Sequence, residues 1–193
     1  MARILYLSVL NEINAANEKL NDTDSSNDQA IATGAPHNWD EGWAYYQAFT
    51  GPGQMTQKRE ADFAKFAGTD TAILDAWLQG QRAIVGAAVS TGAARPNPTR
   101  RQYGGGAPPP GGGGAQAGGS SAAATGRPNL AVLKEQENYL RRKLAHAFYL
   151  SVVHELVEVP KSLAVGDIAK ANVQMREGEV FYSAILTEVE AKK

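Results

Sequence analysis

The chain of 193 residues reads as an all-α protein, an up-and-down helical bundle of two pseudo-symmetric repeats with a long Gly/Pro-rich insertion. Three observations predict this. Apolar residues recur at steps of three and four, and no stretch alternates polar with β-branched residues as a half-buried strand would. The sequence also repeats itself: Tyr6-Leu7-Ser8-Val9-Leu10-Asn11-Glu12 returns as Tyr149-Leu150-Ser151-Val152-Val153-His154-Glu155, and Glu41-Gly42-Trp43-Ala44-Tyr45-Tyr46 returns as Glu177-Gly178-Glu179-Val180-Phe181-Tyr182. The offsets are 143 (149 minus 6) and 136 (177 minus 41), so one connection is seven residues longer in the first copy, as a loop permits. Finally, the composition breaks at residues 92–128, where Gly104-Gly105-Gly106, Pro108-Pro109-Pro110 and Gly111-Gly112-Gly113-Gly114 leave almost nothing to bury.

The division that follows is a single helical domain. Repeat one covers about residues 1–50, intervening helices about 56–90, the Gly/Pro-rich linker about 92–128 and repeat two about 129–190. The first ten residues open like an export signal, but Asn11, Glu12, Asn14 and Asn17 interrupt the apolar run before an export core is complete. Recurrence of the same stretch at Tyr149 makes it a structural helix, so no signal peptide is evident in it. Pro36 places the start of the next helix near His37. A short helix is predicted over residues 56–66 and another over 70–90, the latter burying Ile73, Trp77, Ile84 and Val85. Asn129 can cap a long helix that Pro160 stops after Val159. The last helix carries the stripe Ile168, Ala171, Met175, Gly178, Tyr182, Ile185 and Val189, predicted to face the bundle.

Charge and composition remove several function classes. With 19 basic and 20 acidic side chains the chain has no general electrostatic reason to bind nucleic acid or a membrane surface. No run is long enough to span a bilayer. The absence of cysteine removes disulfides, thiolate metal sites and thiol nucleophiles. The linker holds Arg95, Arg100, Arg101 and Arg127 and no acid, so the rest carries minus one minus four, or minus five. No phosphate loop, nucleophile elbow or His-Glu-x-x-His is present, and no catalytic residue is assigned.

What the copies share is carboxylate. Residues 144–159 are apolar almost all round, yet Glu155 sits on the face of Leu144, Phe148 and Ser151; its counterpart Glu12 lies among Leu5, Val9 and Ile13. A buried carboxylate is costly unless it is paired or bound to a cation. Glu41 and Glu177 form the second pair, each followed by a glycine whose poor helix propensity points to a close neighbour. One glutamate from each of four helices is how bundle proteins hold iron or manganese, usually with histidine support. Here that support is asymmetric. His37 lies one turn before Glu41 but matches Val173, and His154 adjoins Glu155 but matches Asn11. The Glu-x-x-His spacing of di-iron enzymes is absent, which argues against an oxidase. The candidate metal ligands are therefore Glu12, Glu41, Glu155 and Glu177, with His37 and His154 as auxiliaries.

The string His37-Asn38-Trp39-Asp40-Glu41-Gly42-Trp43-Ala44-Tyr45-Tyr46, with its upstream apolar helix and its recurrence in the second half, resembles the algal low-iron-inducible periplasmic proteins, the iron-assimilatory Fea-type family. The resemblance implies a periplasmic or extracellular helical protein of iron uptake that binds its ligand rather than transforming it. An iron ion is the cofactor implied, and Glu41 and Glu177 with their aromatic followers are the residues it covers. The linker is a departure from the family. The alternative expectation is a structural or interaction subunit that reuses the helical module and docks on a protein partner through residues 92–128.

Overall fold

The computed structural model describes residues 2–21, 32–48, 51–86 and 127–190. Among these there are six α-helices, one short 3-10 turn and no strand: α1 (Ala2–Asn21), α2 (Ala35–Gln47), α3 (Pro52–Asp62), α4 (Thr69–Ile84), α5 (Leu130–Ala164) and α6 (Ile168–Glu190). The all-α bundle predicted from periodicity is what forms. The insertion predicted at residues 92–128 lies almost wholly outside the described residues. The described residues that flank it meet, because the backbone N–H groups of Gly86 and Asn129 both donate to Ala83 O, at 3.4 and 2.8 Å.

Each helix begins and ends for local reasons. Pro36 and Pro52 occupy the first turns of α2 and α3, where a missing N–H costs nothing and the fixed φ suits the helix. So α3 starts four residues before the predicted 56 and breaks at extended Phe63, with residues 64–66 forming the 3-10 turn. At the start of α5, Asn129 Oδ1 accepts from Val132 N–H at 3.1 Å, the cap expected from sequence. Pro160, predicted to end α5, instead lies inside it. What ends the helix is Gly166 at φ 76: its N–H donates to Leu163 O at 3.0 Å, and Asp167 N–H donates to Ser162 O at 2.9 Å, the paired bonds of a Schellman motif. Asp167 Oδ1 then accepts from Lys170 N–H at 2.9 Å and caps α6, so two residues turn the chain back on itself. At the end of α4, Gly86 at φ 68 closes a helix predicted to reach residue 90.

The core is built where α1, α2, α4 and α5 meet. Tyr6, Val9, Ile13 and Ala16 of α1, Trp39 and Tyr46 of α2, Ile73 and Ile84 of α4, and Leu133, Leu140, Leu144 and Phe148 of α5 are fully buried. Trp39 and Trp77 are locked to each other, each indole N–H donating to the other's backbone carbonyl, at 2.9 and 3.0 Å. Gly80 permits this, since a methyl group there would lie 2.1 Å from the Trp39 ring. The predicted α6 stripe needs correction. Ala171 and Ile185 are buried as expected, but Ile168, Met175 and Tyr182 are exposed, and the inward face runs instead through Ala171, Gln174, Ala184 and Ile185. Among the described residues no helix covers the outer side of the α5–α6 hairpin as α4 covers α2, so the apolar stripe is wider than the surface packed against it. Val189 lies beyond the side chains described.

Candidate functional site

Two helix crossings carry the shared carboxylates. Where α1 crosses α2, a methyl group on Gly42 would lie 3.3 Å from Glu12 Cβ; where α5 meets α6, one on Gly178 would lie 3.5 Å from Glu155 Cβ. In both places the recurrent glutamate's stem touches the recurrent glycine, but only Gly42 is tightly approached, with Trp77 of α4 nearer still at 3.0 Å; the contact at Gly178 is an ordinary one.

At the first crossing Glu12 Oε2 accepts from Asn38 Nδ2 at 2.6 Å. Asn38 is buried, and its Oδ1 has no hydrogen-bond partner among the described residues. Beside them, His37 Nε2 lies 3.6 Å from Glu41 Oε1 on the outer face of α2, both side chains 44% exposed. Asp40 accepts from Gln81 Nε2 at 2.9 Å, and burial pushes its carboxyl up while His37 draws it down.

At the second crossing the electrostatics are sharper. Glu155 is only 8% exposed. Burial, and next the Glu177 carboxylate, push its carboxyl above the usual range, while His154 and Arg59 pull the other way. Glu155 and Glu177 line a cleft of about 300 Å³ with Lys58, Arg59, Ser151 and Phe181. Arg59 does not neutralise this pair outright, because its guanidinium is engaged by Asp62 Oδ2 at 2.9 Å, the same oxygen that lies 3.3 Å from His154 Nδ1. Ser151 donates to Ala147 O at 3.0 Å and so packs its own helix. Gln174, which stands 136 positions after Asn38, is also buried and accepts from Ser162 Oγ at 2.8 Å.

The structure thus brings Glu155 to Glu177 and His37 to Glu41. Among the described residues, no group of three or more His, Asp or Glu is arranged to hold one metal ion. His154 is turned to Asp62. Residues that sequence reasoning passed over are Asn38, Arg59 and Asp62. The first was readable, because the offset of 136 aligns it with the buried amide Gln174; the other two come from α3, which has no counterpart in the repeat.

A separate polar knot ties α1 to α5. Glu137, buried to 3% exposure, accepts from Asn17 Nδ2 at 2.7 Å, Lys134 Nζ at 3.0 Å and Arg141 Nε at 2.9 Å. Burial opposes its charge, but these bonds and the two cations outweigh burial and hold the carboxyl below the usual range. Arg141 also reaches Asn14 on α1. These bonds clamp α1 to α5.

No helix among the described residues is long and apolar enough to cross a membrane. None of the curated proteins compared matches the chain, and none of the solved structures does. One family model does match, that of Fea1, the low iron-inducible periplasmic protein, over residues 2–95. The matched segment takes in α1 to α4, with Glu12, His37, Asn38, Glu41 and the Trp39–Trp77 lock, while α5 and α6 lie outside it. By this match the N-terminal half of the chain, first crossing included, is similar to the low iron-inducible periplasmic proteins.

Proposed function

We propose that the protein binds iron as cargo in the periplasm, without transforming it, through donor pairs at its two helix crossings, Glu155 with Glu177 and Glu41 with His37. The observation that carries this reading is the Glu155–Glu177 pair: a nearly buried carboxylate held beside a second one in an open cleft, its charge disfavoured by both burial and its neighbour. A bound cation relieves both costs at once. The first crossing offers the matching chemistry. Glu12 is held there by Asn38 Nδ2, and beside them His37 and Glu41 form a histidine-carboxylate bite at 3.6 Å. Carboxylate and imidazole are donors that suit iron. Each pair supplies two protein donors, which leaves the rest of the ion's coordination to solvent or a chelator, as suits a carrier that must release its load. His154 is a weaker auxiliary, because Asp62 already holds it. The match to a family named for low-iron induction and periplasmic location supports the same reading, and that name specifies no reaction.

The test is iron titration of chelator-treated protein, read by calorimetry with ferric citrate and with anaerobic ferrous ion. Glu155→Gln/Glu177→Gln and Glu41→Gln/His37→Ala are each expected to remove one binding step and weaken overall retention at least about tenfold, which is about 1.4 kcal/mol. A parent protein that retains no iron in either form rules the reading out.

A further inference from the structure

We propose that the α5–α6 hairpin is a docking surface for an amphipathic helix of a partner protein, one with basic residues flanking its apolar face. The hairpin bears an apolar groove of about 510 Å³ lined by Val152, Leu156, Val159, Met175, Gly178 and Tyr182. Leu156 is 67% exposed, Met175 54% and Tyr182 48%, an unusual outlay of large apolar side chains along one seam.

The chain itself shows what such a seam accepts. At the offset of 136, Met175, Gly178 and Tyr182 correspond to Trp39, Gly42 and Tyr46 of α2, and at 143 Leu156 corresponds to Ile13 of α1. Trp39, Tyr46 and Ile13 are all fully buried. Over α2 lies α4. Its Trp77 sits 3.0 Å from where a Gly42 methyl would stand, its ring lies 5.2 Å from that of Trp39, and its Asp70 accepts from Tyr46 Oη at 2.6 Å. Over Gly178, among the described residues, the only neighbour within 4 Å of such a methyl is Glu155 Cβ. The same glutamate-on-glycine crossing is thus present twice, and among the described residues a helix seats an aromatic on it once. The groove is the second seat, and its natural occupant is a second α4-like helix.

Charge decides between occupants. The charged side chains lining the groove are Glu155 and Glu179, both acidic. A second copy presenting the same face would set carboxylate against carboxylate as the apolar seam closed, whereas a helix flanked by lysine or arginine would pair with them. The mode is helix-in-groove recognition, with a large side chain over Gly178 as its anchor.

The probe is a helix-stapled, fluorescein-labelled peptide of residues 69–84 carrying Asp70→Lys and Asp75→Lys, with anisotropy measured on the full chain in chelator so that the result is independent of any iron. Saturable binding is expected, weakened at least about tenfold by Leu156→Asp or Met175→Asp and reduced by salt. Both side chains are more than half exposed, so these variants keep the fold, which far-UV circular dichroism checks. Absence of saturable binding, or equal binding by the parent and both variants, overturns the proposal. So does a concentration-dependent dimer in sedimentation velocity that Leu156→Asp dissolves, since the occupant is then a second copy.

Discussion

At the scale of single residues, glycines decide how closely the helices meet, and they are not equivalent. Gly80 lies beneath the Trp39 ring, where a methyl group would be 2.1 Å from it, and that ring is pinned by two reciprocal hydrogen bonds and cannot yield. Gly80→Ala is therefore expected to destabilise by about 2 to 3 kcal/mol despite the better helix propensity of alanine. Gly178 meets only Glu155 Cβ at 3.5 Å, an ordinary contact, so Gly178→Ala gains the propensity term and should be neutral or stabilising by up to about 1 kcal/mol. Urea denaturation of the two variants checks both signs. From sequence, Gly42 and Gly178 share a motif while Gly80 is an unremarked glycine in a helix, so helix propensity alone ranks none of the three.

At the scale of elements, the turn between α5 and α6 shows how a helix is stopped. Pro160 removes one backbone donor but lies on the exposed side near the end of a 35-residue helix, and neighbouring turns carry the chain past it. Gly166 does the stopping, because only a residue comfortable at φ 76 closes both Schellman bonds. Gly166→Ala has open space around its new methyl group, so its cost is conformational alone, and a loss of about 1 kcal/mol is expected in thermal or urea unfolding. The Gly166-Asp167 pair was visible as a turn signal, yet proline was the more conspicuous punctuation. Likewise α6 shows a clear helical period in its sequence, but periodicity defines a stripe and not how much of it a neighbour covers. Half of that stripe faces outward for this reason.

At the scale of the whole molecule, stability and the candidate site are linked through charge. Glu155 has its carboxyl raised by burial and then by Glu177, so the folded state holds its proton more tightly than the unfolded chain does. Stability from this group is present at low pH and is lost as pH rises from about 4.5 through the raised folded value. Glu137 has the opposite sign: its depressed carboxyl contributes above about pH 4.5 and loses that contribution as pH falls. In chelator-treated protein, Glu155→Gln should therefore be more stable than the parent at neutral pH, with the difference shrinking toward pH 4.5; urea titrations across that range measure it. By itself the sequence determined the helical class, the internal correspondence of Glu12 with Glu155 and Glu41 with Glu177, the cap at Asn129 and the position of the insertion. These follow from periodicity, recurrence and local capping chemistry, which act over a few residues. Only the tertiary structure decided that Arg59 and Asp62 of α3 stand beside Glu155 and His154, that Asn38 holds Glu12, and that α4 covers one glutamate-glycine crossing while no described helix covers the other. Such facts depend on which distant surfaces meet, and burial, pairing and charge are properties of that meeting rather than of any local stretch of chain.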